Sequence, residues 1–282
     1  MGVKLSETAM TVNFRLSTWN NNKFDREISA EVAKKRELNQ GDAGRYIKVL
    51  MPYQELTEIY KIAREWRQFH RWNTMPWKDN NVRLVACKRY SFYSDGMRKR
   101  EIAFDDAVDL FVPKYPEFIN LERQRLKDFK QSDYPDDIAP KFGHSIKVEP
   151  LMDPTDWRTT LRDDQIEDIK KKLLEEEQER KTTLLQDLWQ RLFDPVKSMA
   201  TQLSKDKPRI HKSLVANIME ICDVLPDLNI LEDGVLDGMR QEILNKLTWA
   251  DAETLRKTPV VRKTVAKDAQ DILDTMSGYM GI

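Results

Sequence analysis

The sequence predicts an α+β protein, mostly helical, with a small antiparallel sheet in residues 1–160 and a helical domain over 161–282. Three observations carry this. Of 282 residues 40 % are apolar and 33 % charged, a balance that suits helices with broad solvated faces better than an all-β body. Only nine glycines speak against the turn-rich sequence of a sandwich or barrel. Hydrophobic residues also change rhythm along the chain, from short alternating or mixed runs to helical spacing after residue 158.

The elements follow in order. "TVNFRLSTW" (11–19) alternates Val12, Phe14 and Leu16 with Asn13, Arg15 and Ser17, which predicts a strand. "NNNKFD" reads as a turn and "DREISAEVAKKREL" as a short helix. Over 52–72 a proline stands at the first helical position with Glu55 and Glu58 in the opening turns, predicting a longer helix. "NNVRLVACKRYSFYSDGMRKREIAF" reads as a hairpin turning at "SDG". Residues 104–129 read as two helical pieces broken at Pro113 and Pro116. The proline-rich stretch 132–158 reads as irregular, with one short strand at His144 to Val148. A long helix follows, with a charged middle that lacks apolar anchors, then two amphipathic helices at 211–225 and 235–249.

Net charge is zero, yet the charge is segregated. Residues 45–100 hold thirteen Lys/Arg against five Asp/Glu, a net of +8, and ten of the chain's 25 aromatics. Residues 101–160 hold thirteen acids against eight bases, a net of −5. A basic segment beside an acidic one can bind a polyanion while the whole stays soluble.

On the helix at 52–72, Leu56, Ile59, Ala63, Trp66 and Phe69 form a stripe that reads as core. Lys61, Arg64 and Arg71 form a second stripe with Arg67 beside it, and like charges on adjacent turns repel. Trp72 and Trp77 stand in the polar connection "WNTMPWKDNN", where helical burial does not account for both. The expected hairpin adds Lys88, Arg89, Tyr90 and Tyr93, and then Arg98, Lys99 and Arg100. Rings beside cations suit an unpaired nucleic-acid strand, which offers base faces for stacking and one charge per nucleotide; a duplex hides those faces. The cations are therefore candidates for phosphates, and Trp72, Trp77, Tyr90 and Tyr93 for bases. The alternative is a solvated basic face on a buried hairpin. "LRKTPVVRKTVAK" adds Arg256, Lys257, Arg262 and Lys263 without an intervening acid, a second contact on the same strand or a plain solvated run.

Other chemistry lacks support. His70, His144 and His211 lie apart with no metal-ligand spacing, and neither a phosphate-binding glycine loop nor a nucleophile elbow is present. No cofactor or metal is expected, and no enzyme is called for. Asp105, Asp106 and Asp109 could serve a metal-dependent nuclease, but they read first as helix surface. Another alternative is an assembly protein whose basic segment docks on the acidic segment of a neighbouring subunit, which would make it a homo-oligomer. Two cysteines without a hydrophobic leader predict a reducing cytoplasm, and no apolar run is long enough for a membrane span.

The pattern "W-x3-K-x-D" at Trp19, Lys23 and Asp25, followed by "DYP", "KF" and "DWR" in 132–158, resembles a group of bacteriophage single-stranded-DNA-binding proteins. That group lacks an OB-fold and includes the RNA polymerase cofactor of virion-RNA-polymerase-carrying Pseudomonas phages. The resemblance covers most of the first 160 residues and thins out in the helical tail. It implies a non-enzymatic transcription cofactor, without an OB-fold, that holds melted DNA and recruits the phage-encoded RNA polymerase in the infected host cytoplasm. It assigns no binding residues.

Overall fold

A short helix, α1 (Leu5–Thr8), runs directly into strand β1 (Ala9–Ser17). Val12 and Phe14 are buried while Arg15 and Ser17 are exposed, as alternation requires. The computed structural model describes residues 4–39, 42, 44–78, 81–153 and 163–280. The stretch expected as a plain turn contains a strand, β2 (Asn22–Phe24). It pairs antiparallel with β3 (Ile47–Val49), and α2 (Arg26–Lys35) lies between them in sequence. Asp25 caps α2 by accepting from the Ile28 amide at 3.0 Å.

After a 3-10 turn at Tyr53–Leu56 comes α3 (Thr57–Trp72), which buries Ile59, Ala63, Trp66 and His70. The core stripe forms at Leu56, Ile59, Ala63 and a fully enclosed Trp66, whereas Phe69, expected in it, is only half-buried. Strands β4 (Met75–Lys78) and β5 (Val82–Ala86) follow. The main sheet has the order β4-β5-β1-β6 and is antiparallel, β6 being Gly143–Pro150. Ala9 faces Ala86, Asn13 faces Val82 and Met75 faces Leu84, with an irregularity between Pro76 and Lys78.

The expected hairpin turn at "SDG" does not form. Beyond Ala86 a 3-10 turn leads into a helix, α4 (Tyr90–Phe111), and Asp95 and Gly96 lie in its second turn. Tyr93, Met97, Phe104 and Phe111 recur at helical steps and are all buried, and that periodicity prevails over the turn signal. The break at the prolines is a 3-10 turn leading into α5 (Tyr115–Arg125).

The remaining helices are α6 (Asp163–Leu203), α7 (Ser213–Leu228), α8 (Gly234–Leu247), α9 (Ala252–Lys257) and α10 (Pro259–Met280). Residues 166–183 of α6 bury no side chain, in keeping with their charged sequence, whereas Leu184, Leu188 and Leu192 are buried. No helix among the described residues is long and apolar enough to cross a membrane.

Packing divides the chain into two compact units, neither contiguous in sequence. The first comprises Met1–Asn13, Arg71–Tyr93 and Lys147–Ile282; the second comprises Phe14–His70 and Ser94–Ile146. The boundary expected at residue 160 lies outside the described residues. The first unit's core combines the inner faces of α6, α7, α8 and α10 with Met75, Trp77 and Leu84 from the sheet. In the second, Trp66 meets Phe14, Phe104 and the His144 ring in tilted contacts at centroid separations of 5.0 to 5.8 Å, and Phe104 meets the His144 ring edge-on at 6.2 Å.

Candidate nucleic-acid interface

Within the second unit, α3 and α4 pack antiparallel. The Phe69 ring lies against Gly96, while Trp66, almost a turn earlier, meets Phe104, two turns later. Glycine is required there, since an ideal Cβ on residue 96 would stand 2.1 Å from Phe69 Cζ. The Arg100 guanidinium covers the other side of that ring at 3.9 Å and donates to the Gly96 carbonyl at 2.9 Å. Burial pushes the Arg100 pKa down, with Glu65 opposing.

Trp66 and His70 on α3, and Met97 and Phe104 on α4, are buried on one side of this pair. Arg64 and Lys99 each stand two residues from a buried neighbour, Trp66 and Met97, and so about 160° round the helix from it. Both are exposed, as are Lys61 and Arg98. Among the described residues Arg64, Arg98 and Lys99 have no hydrogen-bond or ion-pair partner, and Lys61 reaches only Glu58 at 3.6 Å. Arg67 differs: half-buried, it donates to the Leu16 carbonyl at 2.9 Å and ties α3 to β1.

The first unit uses most of its expected phosphate contacts internally. Lys88 donates to the Pro226 carbonyl near the end of α7. Arg89 pairs with Asp227 at 2.7 Å, donates to Asn73 Oδ1 at 2.8 Å and lies 4.6 Å above the Phe92 ring. Arg256 donates to the Ile210 carbonyl at 2.8 Å, and Arg262 reaches the Leu255 and Arg256 carbonyls at 3.3 and 3.4 Å, closing α9. Lys257 is exposed and pairs with Glu253; Lys263 and Arg71 are exposed. Asp251 caps α9, the helix that contains both Arg256 and Lys257.

Two of the four stacking candidates are core. Trp77 belongs to β4 and is buried, with the Arg180 guanidinium 5.2 Å from its ring. Tyr93 is 1 % exposed, and burial raises its hydroxyl pKa. Neither offers a face to a base. Trp72 closes α3 and packs partly buried on the first unit's core, and Tyr90 is half-buried. The connection looked polar because its burial depends on distant α6 residues.

Two arginines outside the expected set shape this region. Arg191 of α6, held by Asp187 at 2.9 Å, donates to the Trp72 and Thr74 carbonyls at 3.0 and 2.7 Å and to that of Arg71 at 3.3 Å. It caps the end of α3. Arg83 donates to Thr74 Oγ1 and to its carbonyl at 2.7 and 2.9 Å. Burial, with Arg191 close by, lowers its pKa to about 10. No local signal marks Arg191, whose partners lie about 120 residues away.

The motifs behind the phage resemblance hold the second unit together. Trp19 is buried, Asp25 caps α2, and Lys23 meets Asp133 of "DYP" at 2.6 Å. The Tyr134 hydroxyl donates to the Leu50 carbonyl at 2.6 Å, and Phe142 is buried. "DWR" (156–158) lies outside the described residues. Of the expected nuclease carboxylates, Asp105 is taken by His144 Nε2 at 2.9 Å, while Asp106 and Asp109 are exposed. Among the described residues no group of three His, Cys, Asp or Glu side chains could hold a metal ion. Comparison of the chain with protein-family models, with curated proteins and with solved structures finds no match.

Proposed function

We propose that this protein binds single-stranded DNA with little sequence preference, its phosphates lying along Lys61, Arg64, Arg98 and Lys99 of the α3–α4 pair. The observation that carries this reading is the exposure of Arg64, Arg98 and Lys99 without a carboxylate partner among the described residues. Unpartnered like charges on neighbouring turns repel, and a polyanion relieves that repulsion. The resemblance of the second unit's motifs to the phage group supports a role as a transcription cofactor. That role would hold melted promoter DNA and recruit the phage-encoded RNA polymerase in the infected bacterial cytoplasm. Arg67, Lys88, Arg89 and Arg256 act as internal straps instead.

The test is fluorescence anisotropy with labelled oligo(dT) and a matching duplex across a salt series. Single strands bind more tightly, and log affinity falls linearly with log salt by about 0.7 per phosphate neutralised. Arg64→Ala and Lys99→Ala each weaken binding and flatten that slope. Equal affinity for the duplex, or binding indifferent to salt, refutes the reading.

A further inference from the structure

We infer that the outer face of the β2–β3 ribbon, with Phe24 and Tyr53 as its rings, is where unpaired bases of the bound strand stack. The inference rests on the single-strand reading and supplies what the α3–α4 surface lacks. That surface carries charge, but the ring beside its cations, Phe69, already lies beneath Arg100.

At Lys48 the ribbon inverts ordinary burial, the lysine being enclosed and its apolar neighbours exposed, while Lys23 is itself exposed. Its register pairs Asn22 with Val49, Lys23 with Lys48 and Phe24 with Ile47. Alternation therefore places Asn22, Phe24, Ile47 and Val49 on one face and both lysines on the other. The lysine face is the anchored one: Lys48 is 4 % exposed and bridges Asp128 at 3.0 Å and Asp133 at 3.2 Å, and Lys23 joins Asp133. The apolar face is outside, with Phe24, Ile47, Val49 and the adjacent Tyr53 between 37 and 49 % exposed. Burying a lysine costs desolvation, and leaving rings in water forgoes their burial. The pairs with Asp128 and Asp133 anchor the lysine face, but they give no reason for rings on the outer one.

The chemistry of the face selects its occupant. The Arg45 guanidinium lies 5.8 Å from the Phe24 ring, and the Tyr53 hydroxyl donates to Asn22 Oδ1 at 3.1 Å, fixing the second ring beside the strand. Positions 22, 24, 45, 47, 49 and 53 hold no carboxylate. A two-fold contact between copies presents the same face twice. It would set Arg45 against a face with no anion to meet it. A nucleic-acid strand brings both ring faces for Phe24 and Tyr53 and phosphates for Arg45. The path also continues: Thr57 Oγ1 donates to the Tyr53 carbonyl at 2.8 Å at the entry to α3. At about 1.5 Å per residue, Lys61 and Arg64 follow within roughly 20 Å of Tyr53.

The test compares oligo(dT) with an abasic strand of equal length. Phe24→Ala with Tyr53→Ala should lose at least about fivefold in affinity for oligo(dT) per ring removed. It should match wild type on the abasic strand and keep the wild-type salt slope. Phe24→Tyr keeps both rings and the Tyr53 hydroxyl bond and should bind oligo(dT) as wild type does. Photocrosslinking of unaltered protein to an iododeoxyuridine-bearing strand, independent of any variant's folding, should label residues 22–24 or Tyr53. If the double alanine variant binds oligo(dT) normally while Arg64→Ala and Lys99→Ala weaken binding, the ribbon inference fails alone. If wild type binds neither strand, the single-strand reading fails with it. Crosslinks confined to other segments, or a wild-type dimer that the double alanine variant dissociates, also overturn the inference.

Discussion

Replacing Gly96 with alanine sets two effects of opposite sign against each other, and the structure decides between them. Alanine in a helix interior is better than glycine by about 0.5–1 kcal/mol, because less backbone freedom is lost. Against this, the new Cβ would stand 2.1, 2.6 and 2.9 Å from three atoms of the Phe69 ring. A ring cannot yield as the tip of a flexible chain can, and Arg100 sits 3.9 Å above it. Overpacking of this kind costs about 1–3 kcal/mol. We expect Gly96→Ala to destabilise by about 1–2 kcal/mol net, lowering the melting transition of a unit of about 100 residues by roughly 4 °C or more. Gly238 in α8 is the control, because nothing lies within 4 Å of its ideal Cβ. Gly238→Ala should therefore stabilise by about 0.5–1 kcal/mol. Circular dichroism melts of both variants, and of Gly96→Ala combined with Phe69→Ala, give the comparison. The combined variant should cost less than the two single changes added together. The reasoning is refuted if Gly96→Ala melts at or above wild type.

Three further outcomes follow from the packing. Burial pushes the Asp133 carboxyl up, but hydrogen bonds from the Lys23 and Lys48 ammonium groups outweigh it and hold the pKa below the usual carboxylate range. Its stabilising effect is thus complete above about pH 4 and lost as pH falls through the folded value, so urea midpoints of wild type and Asp133→Asn should converge in acid and separate near neutrality. Cys222 is buried and its thiol is pushed up to about 12, while Cys87 is exposed; a thiol reagent on native protein should label Cys87 alone, and denaturant should release the second site. Arg191→Ala strands three carbonyls at the end of α3 and should cost about 2 kcal/mol or more in denaturant titrations, whereas Arg71→Ala should stay within about 0.5 kcal/mol.

Periodicity made much of the fold legible. The β1 alternation, the α3 stripe and the helical rhythm of α7 and α8 each specify an element from local spacing alone. The hairpin reading failed because "SDG" is a strong turn signal, while the competing signal, Tyr93 to Phe111 at helical steps, spans more than five turns. The binding residues were harder. Lys88 and Arg89 look like free cations within 45–100, but their partners, Pro226 and Asp227, lie 138 residues on. Trp77 looks exposed until β4 is paired with β5 and packed on α6. The ribbon face was missed for the opposite reason: three-residue strands carry too little alternation to register as strands, and Phe24, Arg45 and Tyr53 lie too far apart in sequence to read as one cluster.

A cation held by the fold is not thereby neutralised. Arg100, Lys88 and Arg256 each donate to backbone carbonyls, which fix the side chain and leave its charge intact. Lys48 and Arg89, by contrast, meet carboxylates. The +8 of residues 45–100 is thus only partly answered by the chain's own acids, although many of its members are immobilised. In the second unit this separates two contributions to binding a polyanion. Arg64, Arg98 and Lys99 are free to displace counterions from phosphates, which sets the salt slope. On the proposed reading, Arg67 and Arg100, fixed by carbonyls and by Phe69, add to the local positive potential and draw a strand in without touching it, an effect on association rate that fades with salt. Removing a strap such as Arg67 therefore acts twice, through the lost tie to Leu16 and the lost field. On the same reading, removing Arg64 acts only on the strand. Stability and salt slope measured on the same pair of variants tell these apart, because the Arg64 effect lies in the slope with the melt unchanged, and the Arg67 effect lies mainly in the melt.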